Sequence, residues 1–320
     1  MAQTNSIKKV AITGATGHIG SHFVEALLKT GKHEITALTR ADSKAKLPDG
    51  VNPVQVNYDD EQSLVSALRG QEFLIITLSV QSPPDLHTKI VQAAVKAGVP
   101  YIMPNAYGFD YANETLQKED VFSQTCLGYC KDVESRGASY VAMVCGFWYG
   151  WSLALGEQWF GFDIKNRKVT FFDDGKTPIN SSTLDQCGRG LAAFLSLPES
   201  GASPSVSQWK NGLLCFDSFK VSQRDMLDSL HRVVGTSDKD WEITYEPTNK
   251  RVKDGMEEMQ KGDRKGFAKS MYSRIFYPNG PGLFEKTREM SNKTLGLPKE
   301  DLDEATKSAV DMVESGWSPF

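Results

Sequence analysis

Three glycines near the N-terminus have the spacing of an anion-binding turn. In VAITGATGHIGSHFVEALLKTG, residues 10–31, they follow an apolar run and open a helical pattern. Backbone N–H groups at such a helix start point outward, and the helix dipole adds partial positive charge. The spacing is GxxGxxG rather than the usual GxGxxG, but the strand–turn–helix context predicts a dinucleotide site. The predicted cofactor-binding residues of this turn are Gly14, Thr16, Gly17, His18, Ile19 and Gly20.

The end of the second predicted strand indicates which dinucleotide is bound. About 20 residues beyond the last glycine, proteins that bind NAD place an acidic residue on the ribose hydroxyls. Here the chain has LTR, which ends in Arg40. A guanidinium at this position can hold a 2′-phosphate bidentately, although Arg40 can also be a solvated charge beside Asp42. We therefore expect NADPH or NADP+ as the cofactor.

Two side chains are predicted as catalytic residues. Lys131 can polarise a carbonyl or act as an acid or base if it is partly buried. Its alternative is a surface lysine paired with Glu134. Tyr107, in NAYG, follows the fifth predicted strand, where open α/β sheets place ligands, and its phenol can donate to a developing oxyanion. A tyrosine there can equally line or cap a pocket.

Aromatic side chains crowd two short segments after the sixth predicted strand, GFWYGW and EQWFGF. Such a surface suits a flat or polycyclic substrate, which can stack on it. Alternatively, these rings form the core between two domains. Some rings of the cluster can belong to such a core while others line a substrate pocket. The predicted substrate-binding residues are Trp148, Trp151 and Trp159.

Regular alternation of strand and helix patterns predicts an α/β fold, a doubly wound parallel sheet of the Rossmann type. The runs VAIT, FLIIT and YVAMV are continuously apolar, as expected of strands covered on both faces. Predicted strands are 9–13, 34–39, 54–57, 73–78, 101–103 and 140–144; predicted helices between them are 19–29, 61–68, 86–96 and 114–135.

The rhythm changes after Phe147, which predicts a second, smaller and mostly helical domain. The segment KVTFFDDGKTPIN is predicted as a strand pair that turns at Asp174-Gly175. Further helices are predicted near 184–197, 221–235, 250–262 and 301–315, with a strand at 212–216. The predicted domains are 1–150 for the dinucleotide and 151–320 for substrate, with a segment within 180–217 returning to the main sheet.

Composition narrows the class of protein further. The 320 residues carry a net charge of −4, with lysine and arginine spread along the chain, which argues against nucleic acid as a partner. Five cysteines lack zinc or disulfide spacing, so no metal is expected and a reducing compartment is favoured. Residues 137–156 are uncharged, but their pattern favours a buried strand, turn and helix over a membrane span. No secretory signal is visible, and a cytoplasmic protein is expected.

Together these residues resemble the NmrA-like and isoflavone-reductase-like branch of the atypical short-chain dehydrogenases. The motifs are GATGHIG, LTR, ITLSVQ, GVPYIMPNAYG and VESRGASYVAMVCGFWYGW, which cover the first half of the chain; the GFWY run is similar to fungal members in particular. The resemblance implies an NADP-binding domain, a smaller domain and a substrate between them. It also implies that Ser79, Asn105 and Phe147 lie near the cofactor.

The chain departs from this family at the general base. No Tyr-x-x-x-Lys pair occurs, and the lysine of isoflavone reductases would fall near Cys126, with Lys131 more than one turn later. We expect an NADPH-dependent reductase of a small aromatic, secondary-metabolite-like substrate. The missing lysine keeps two alternatives open: a non-redox isomerase or rearrangement enzyme that retains NADP as a structural cofactor, and a catalytically silent, NmrA-like sensor of NADP(H).

Overall fold

The computed structural model describes residues 6–79, 81–263 and 265–318. Its strands in this part of the chain are β1 (Lys9–Thr13), β2 (Glu34–Arg40), β3 (Val51–Val56), β4 (Phe73–Ile76), β5 (Tyr101–Met103), β6 (Tyr107–Gly108), β7 (Ser139–Val144), β8 (Phe147–Trp148), β9 (Phe162–Asp163), β10 (Lys168–Phe172), β11 (Ile179–Ser182), β12 (Gly212–Cys215), β13 (Phe219–Val221) and β14 (Glu242–Glu246).

The helices alternate with strands in the first half and dominate the second. They are α1 (His18–Thr30), α2 (Glu61–Leu68), α3 (Leu86–Ala97), α4 (Glu114–Glu119), α5 (Val121–Ser135), α6 (Tyr149–Ala154), α7 (Leu184–Leu195), α8 (Gln223–Val234), α9 (Thr248–Gln260), α10 (Lys265–Ile275) and α11 (Leu302–Glu314).

The central sheet is parallel throughout and follows the order β12-β7-β5-β4-β1-β2-β3, with β6 also paired to β7. The predicted doubly wound fold is therefore confirmed. Strand order reverses at β1, which has β2 on one side and β4 on the other. In open α/β sheets, ligands bind at the carboxyl ends of strands beside such a reversal. The fold thus directs attention to the ends of β1 and β4.

Both faces of the sheet are covered because successive strand residues point to opposite sides. Val10 and Ile12 of β1 join the cluster beneath α1 and α7, whereas Ala11 joins the cluster beneath α2 and α3. A third buried cluster continues from Val144 of β7 into the later elements. This arrangement explains why β1, β4 and β7 are continuous apolar runs.

The predicted strand pair around Asp174-Gly175 is wrong. A turn does form there, with the Gly175 N–H donating to the Phe172 carbonyl at 3.0 Å. However, β10 pairs with β9 and β14, while β11 pairs with β8 and β13 in a different sheet. The turn is connected to α9 rather than to a paired strand. The Asp173 carboxylate accepts from the N–H and the hydroxyl of Thr248, the first residue of α9, at 3.0 and 2.6 Å.

The long helix predicted over 114–135 is divided at Asp120. Asp120 has an extended backbone, and its carboxylate accepts from the N–H and hydroxyl of Ser123, at 2.7 and 2.6 Å. These bonds cap the first turn of α5 and start a new helix. Within the described residues, no helix is both long and apolar enough to cross a membrane.

Two helix glycines provide a matched test of the packing of α7 on α1. A Cβ on Gly188 of α7 would lie 2.5 Å from the His22 carbonyl oxygen, whereas a Cβ on Gly128 of α5 would meet nothing within 4 Å. We expect Gly188→Ala to lower the free energy of unfolding by about 1–3 kcal/mol because it forces α1 and α7 apart. Gly128→Ala should raise it by about 0.5–1 kcal/mol. Urea denaturation measures both, and equal stability of the two variants would contradict this packing.

Candidate functional site

The β1–α1 turn is built against the exit of β4. Gly14 has a φ of 69°, and a Cβ there would lie 2.0 Å from the Thr77 carbonyl oxygen. A Cβ on Gly20 would lie 2.1 Å from the Gly14 carbonyl oxygen. Both positions therefore require glycine for close packing. A Cβ on Gly17 would have one neighbour within 4 Å, the Gly14 carbonyl oxygen at 3.2 Å, so the other sides of this position are open.

Thr77, which follows β4, holds the turn in place through its hydroxyl group. Its hydroxyl donates to the Thr13 carbonyl at 2.6 Å and reaches the Gly14 carbonyl at 3.1 Å. Gly17 is the N-cap of α1, and no side chain caps it. The first N–H groups of a helix have no intrahelical acceptors. The turn thus presents a rigid start of α1 to which an anion can bind.

A cleft of about 190 Å³ extends from this turn to the end of β2. It is lined by Gly14, Ala15, Thr16, Leu38, Thr39, Arg40, Ser43, Ala45, Leu47 and Tyr58. The structure thus brings Arg40 to the same cleft as the glycine turn. Sequence reasoning missed Tyr58, because only the pairing of β2 with β3 brings the segment after β3 beside Arg40.

Arg40 is available to a ligand in this cleft. Its side chain is 71% exposed, and its Nε atom lies 3.7 Å from the Asp42 carboxylate, a separation typical of a weak surface pair. Tyr58 donates to the Leu38 carbonyl at 3.4 Å. Burial raises the pKa of Tyr58, and the nearby Arg40 charge opposes that rise. A cation therefore faces the cleft beside a neutral phenol.

Asn105 joins the exits of β4 and β5. Its side-chain oxygen accepts from the Leu78 N–H at 2.9 Å, and its Nδ2 donates to the Leu78 carbonyl at 3.3 Å. Ser79 follows directly and is exposed; its hydroxyl oxygen accepts from the Gln81 N–H at 3.2 Å. Asn105 thus holds the strand exits in place, while the predicted contact of both residues with a cofactor stays a prediction.

A buried histidine that sequence reasoning missed supports Asn105. The Asn105 N–H donates to Nε2 of His87 at 3.3 Å, and the imidazole stacks on Tyr129 with ring centroids 3.8 Å apart. His87 is 1% exposed. Burial lowers its pKa to about 4, against an opposing contribution from Asp132. The ring is therefore neutral, and because Nε2 accepts, Nδ1 carries the proton.

The two predicted catalytic residues lie on different surfaces. The Tyr107 hydroxyl donates to the Ile76 carbonyl at 2.9 Å, and its ring packs on Phe23. Burial raises the Tyr107 pKa well above its ordinary range. Lys131 is exposed on α5, whose inward face carries Cys126, Cys130 and Val133. The Tyr107 hydroxyl is thus already bonded to a backbone carbonyl and Lys131 lies on an exposed helix face, and both catalytic roles stay predictions.

The predicted aromatic surface is divided into two groups. Phe147 and Trp148 are neighbours in β8, so their side chains point to opposite sides. Phe147 stacks on Tyr272, with centroids 3.8 Å apart, and Trp159 meets the same ring edge-on. Trp148 instead packs on Trp151 at 5.5 Å. Trp159 is thus separated from Trp148 and Trp151, because it belongs to the group around Tyr272.

The parallel sheet, its strand reversal and the glycine turn define a Rossmann-type fold. Residues 6–150 match the model of the NmrA-like family. "Oxidoreductase aprR" from Aspergillus flavus is 27% identical over 94% of this chain and 98% of its own length. The predicted resemblance to NmrA-like and isoflavone-reductase-like proteins, including fungal ones, is therefore confirmed.

Solved structures show the same fold along almost the whole chain. A crystal structure of isoflavone reductase matches with a TM-score of 0.75 and 20% identity, and covers 93% of this chain and 98% of that one. The Escherichia coli NADPH-dependent quinone oxidoreductase QOR2, complexed with NADPH, matches with a TM-score of 0.69 and 22% identity. That match covers 93% of this chain and 98% of QOR2.

The buried His87 predicts a specific loss of stability in acid. The unfolded chain protonates His87 near its ordinary pKa of 6.5, whereas the folded protein does so only near 4. Protonation of His87 therefore leaves the free energy of unfolding unchanged above about pH 6.5 and lowers it as the pH falls from 6.5 towards 4. His87→Gln keeps an acceptor for the Asn105 N–H but cannot titrate. Between pH 7 and 5, we expect the wild type to lose about 2 kcal/mol more than this variant. Urea denaturation at each pH measures the difference, and parallel profiles would contradict a neutral, buried His87.

Proposed function

We propose that the protein is an NADPH-dependent oxidoreductase that reduces a small aromatic carbonyl acceptor such as a quinone. The observation that carries the proposal is the open glycine turn, which shares one cleft with the exposed cation Arg40. The names of the relatives give independent support, since they include a fungal oxidoreductase and an NADPH-dependent quinone oxidoreductase.

The residues of the cleft fit NADPH on chemical grounds. The start of α1 would hold the pyrophosphate, because Gly17 has no Cβ to obstruct its approach. Arg40 would bind the 2′-phosphate, and Leu38, Leu47 and Tyr58 would flank the adenosine. When bound, NADPH supplies a hydride. The protein's own part in the reaction is to bind the cofactor and the acceptor and to orient them.

The position of the candidate acids favours an acceptor that needs no proton from the enzyme. Lys131 is exposed, and the Tyr107 hydroxyl donates to a backbone carbonyl. A quinone that gains a hydride becomes a hydroquinone anion, whose charge is delocalised over an aromatic ring. This anion takes its proton from water. An isolated ketone would instead yield a localised alkoxide and depend on an acid in the site.

The same placement of Lys131 and Tyr107 favours a second candidate, in which the cofactor is retained without turnover. The protein would then catalyse a non-redox rearrangement or report the state of NADP(H) to a partner. These functions differ from reduction in one measurable respect: neither moves a hydride into a product.

NADPH carrying deuterium at C4, prepared separately for each face of the nicotinamide, tests these candidates. We expect protein incubated with 2-methyl-1,4-naphthoquinone, or with an extract of aromatic metabolites, to consume one of the two labels. Because the hydroquinone O–D exchanges with water, oxidised cofactor is analysed alongside the products by mass spectrometry, for loss of label from one face only. A new product formed while NADPH stays intact would instead support the non-redox function. Cofactor binding without any product would support the sensor.

Arg40→Ala tests the choice of cofactor. We expect it to weaken NADPH binding about 10–100-fold, because a charge-assisted contact with the 2′-phosphate is lost. NADH binding should stay within about twofold, since NADH lacks that phosphate. Arg69→Ala, at an exposed arginine after α2, is the matched control. Equal loss of NADPH and NADH affinity would argue against this role of Arg40.

A further inference from the structure

Four aromatic rings form a continuous group beside the phosphate turn. Trp148 and Trp151 are 5.5 Å apart between centroids, Trp151 and His18 are 5.8 Å apart, and His18 and Trp317 are 6.3 Å apart. All three pairs are tilted or edge-to-face, as expected of favourable aromatic contacts. We call these four residues the aromatic wall.

His18 fixes the position of the wall relative to the dinucleotide cleft. It is the first residue of α1 and directly follows Gly17, the N-cap. The backbone of His18 therefore belongs to the phosphate turn, while its ring belongs to the wall. A ligand that stacks on the wall would lie beside a dinucleotide held by the turn.

Trp317 reaches the wall from the far end of the chain. The helix α11 packs on α6, which carries Trp151. Gly316 then adopts a φ of 69°, and the Trp317 N–H donates to the Met312 carbonyl at 3.1 Å. This turn brings the indole back onto His18. Trp317 is 36% exposed, so it forms the outer edge of the wall.

The wall also contains two hydrogen-bond donors without acceptors. The Nε1 atoms of Trp148 and Trp151 are buried, and no described residue accepts from either. Buried donors in proteins are nearly always paired. Indole N–H groups can only donate, so their partner must be an acceptor such as an oxygen.

We propose that the aromatic wall binds the substrate, with Trp317 and His18 as its outer part and the indole N–H groups of Trp148 and Trp151 as donors to substrate oxygens. The ligand class is a flat ring system of two or more fused rings that carries carbonyl or hydroxyl oxygens. This inference rests on the proposed function and extends it, because it assigns specificity to a residue at the C-terminal end.

The first test is direct binding of 2-methyl-1,4-naphthoquinone to the NADP+-loaded protein, with Trp317→Ala as the variant. We expect its Kd to rise about 5–20-fold, since one ring of the wall is lost. The Kd of NADPH should not change, and Trp317→Phe should restore most of the naphthoquinone affinity. Trp209→Phe is the control, because Trp209 is half-buried against Phe194 in a separate aromatic contact.

A second test separates the donors from the stacking surface. Trp148→Phe keeps a ring but removes the N–H, so we expect the naphthoquinone Kd to rise about fivefold. Binding of naphthalene, which has the same fused rings and no oxygen, should change by less than twofold. An equal effect on both ligands would overturn the role of the indole N–H as a donor.

The outcomes also distinguish this inference from the proposed function. If Trp317→Ala leaves the naphthoquinone Kd unchanged, or weakens NADPH to the same extent, the wall does not bind substrate. This conclusion holds even where the wild type consumes the deuterium label. If the naphthoquinone Kd rises as expected but the wild type consumes no label, the wall binds a flat ligand and the reductase proposal fails. A wild type that does not bind naphthoquinone would overturn the inference directly.

Discussion

The contact between the β1–α1 turn and the end of β4 is the constraint on which the site depends. Gly14 and Gly20 pack so closely on Thr77 and on each other that neither can carry a side chain. The Thr77 hydroxyl then donates to the carbonyl of Thr13, the last residue of β1, and reaches the carbonyl of Gly14 just beyond it. This contact fixes the direction in which α1 leaves the sheet. The positions of the candidate anion site at Gly17, of the His18 ring and of the turn residues that line the cleft all follow from that direction.

Next to this turn, the strand exits are held by the half-buried Asn105, which the buried His87 supports. Asn105 uses both side-chain polar atoms on the backbone of Leu78, and its own N–H is bound by His87. This rigid edge requires that the imidazole of His87 stay buried and neutral. It keeps the carboxyl ends of β4 and β5 at a fixed separation. A flat ligand bound there would meet a preformed surface rather than an adaptable loop.

The chemistry proposed for the site follows from the hydrogen bonds and the placement of its candidate proton donors. The Tyr107 hydroxyl is bound to the Ile76 carbonyl, and α5 presents Cys126 rather than Lys131 to the interior. A site in which neither of these two residues donates a proton is best suited to acceptors whose reduced form is a stable anion. Quinone-like rings meet that condition, and they also match the stacking surfaces of indole rings.

Local sequence determined much of this fold. Strands β1 and β5 and helix α2 have the bounds that were predicted, because each is a compact apolar or amphipathic run bounded by clear breaks. The glycine turn was recognisable because an anion-binding turn requires glycines at a fixed local spacing, here residues 14, 17 and 20. The failures were of another kind. The pairing of β10 with β14 and the separation of Trp159 from Trp148 depend on partners distant in the chain. The break at Asp120 has a local cause, the cap on Ser123, which the helical pattern over 114–135 does not reveal.

The site shows the same division. From Gly14 to Arg40, the sequence alone indicated a dinucleotide and its phosphate, since those residues act through backbone geometry and charge within one βαβ unit. Only the tertiary structure placed Tyr58 in the cleft, His87 under Asn105 and Trp317 against His18. Residues 18 and 317 meet because α11 packs on α6 and Gly316 reverses the chain. No local pattern encodes that contact, because its energy comes from surfaces that exist only after the sheet and its helices have assembled.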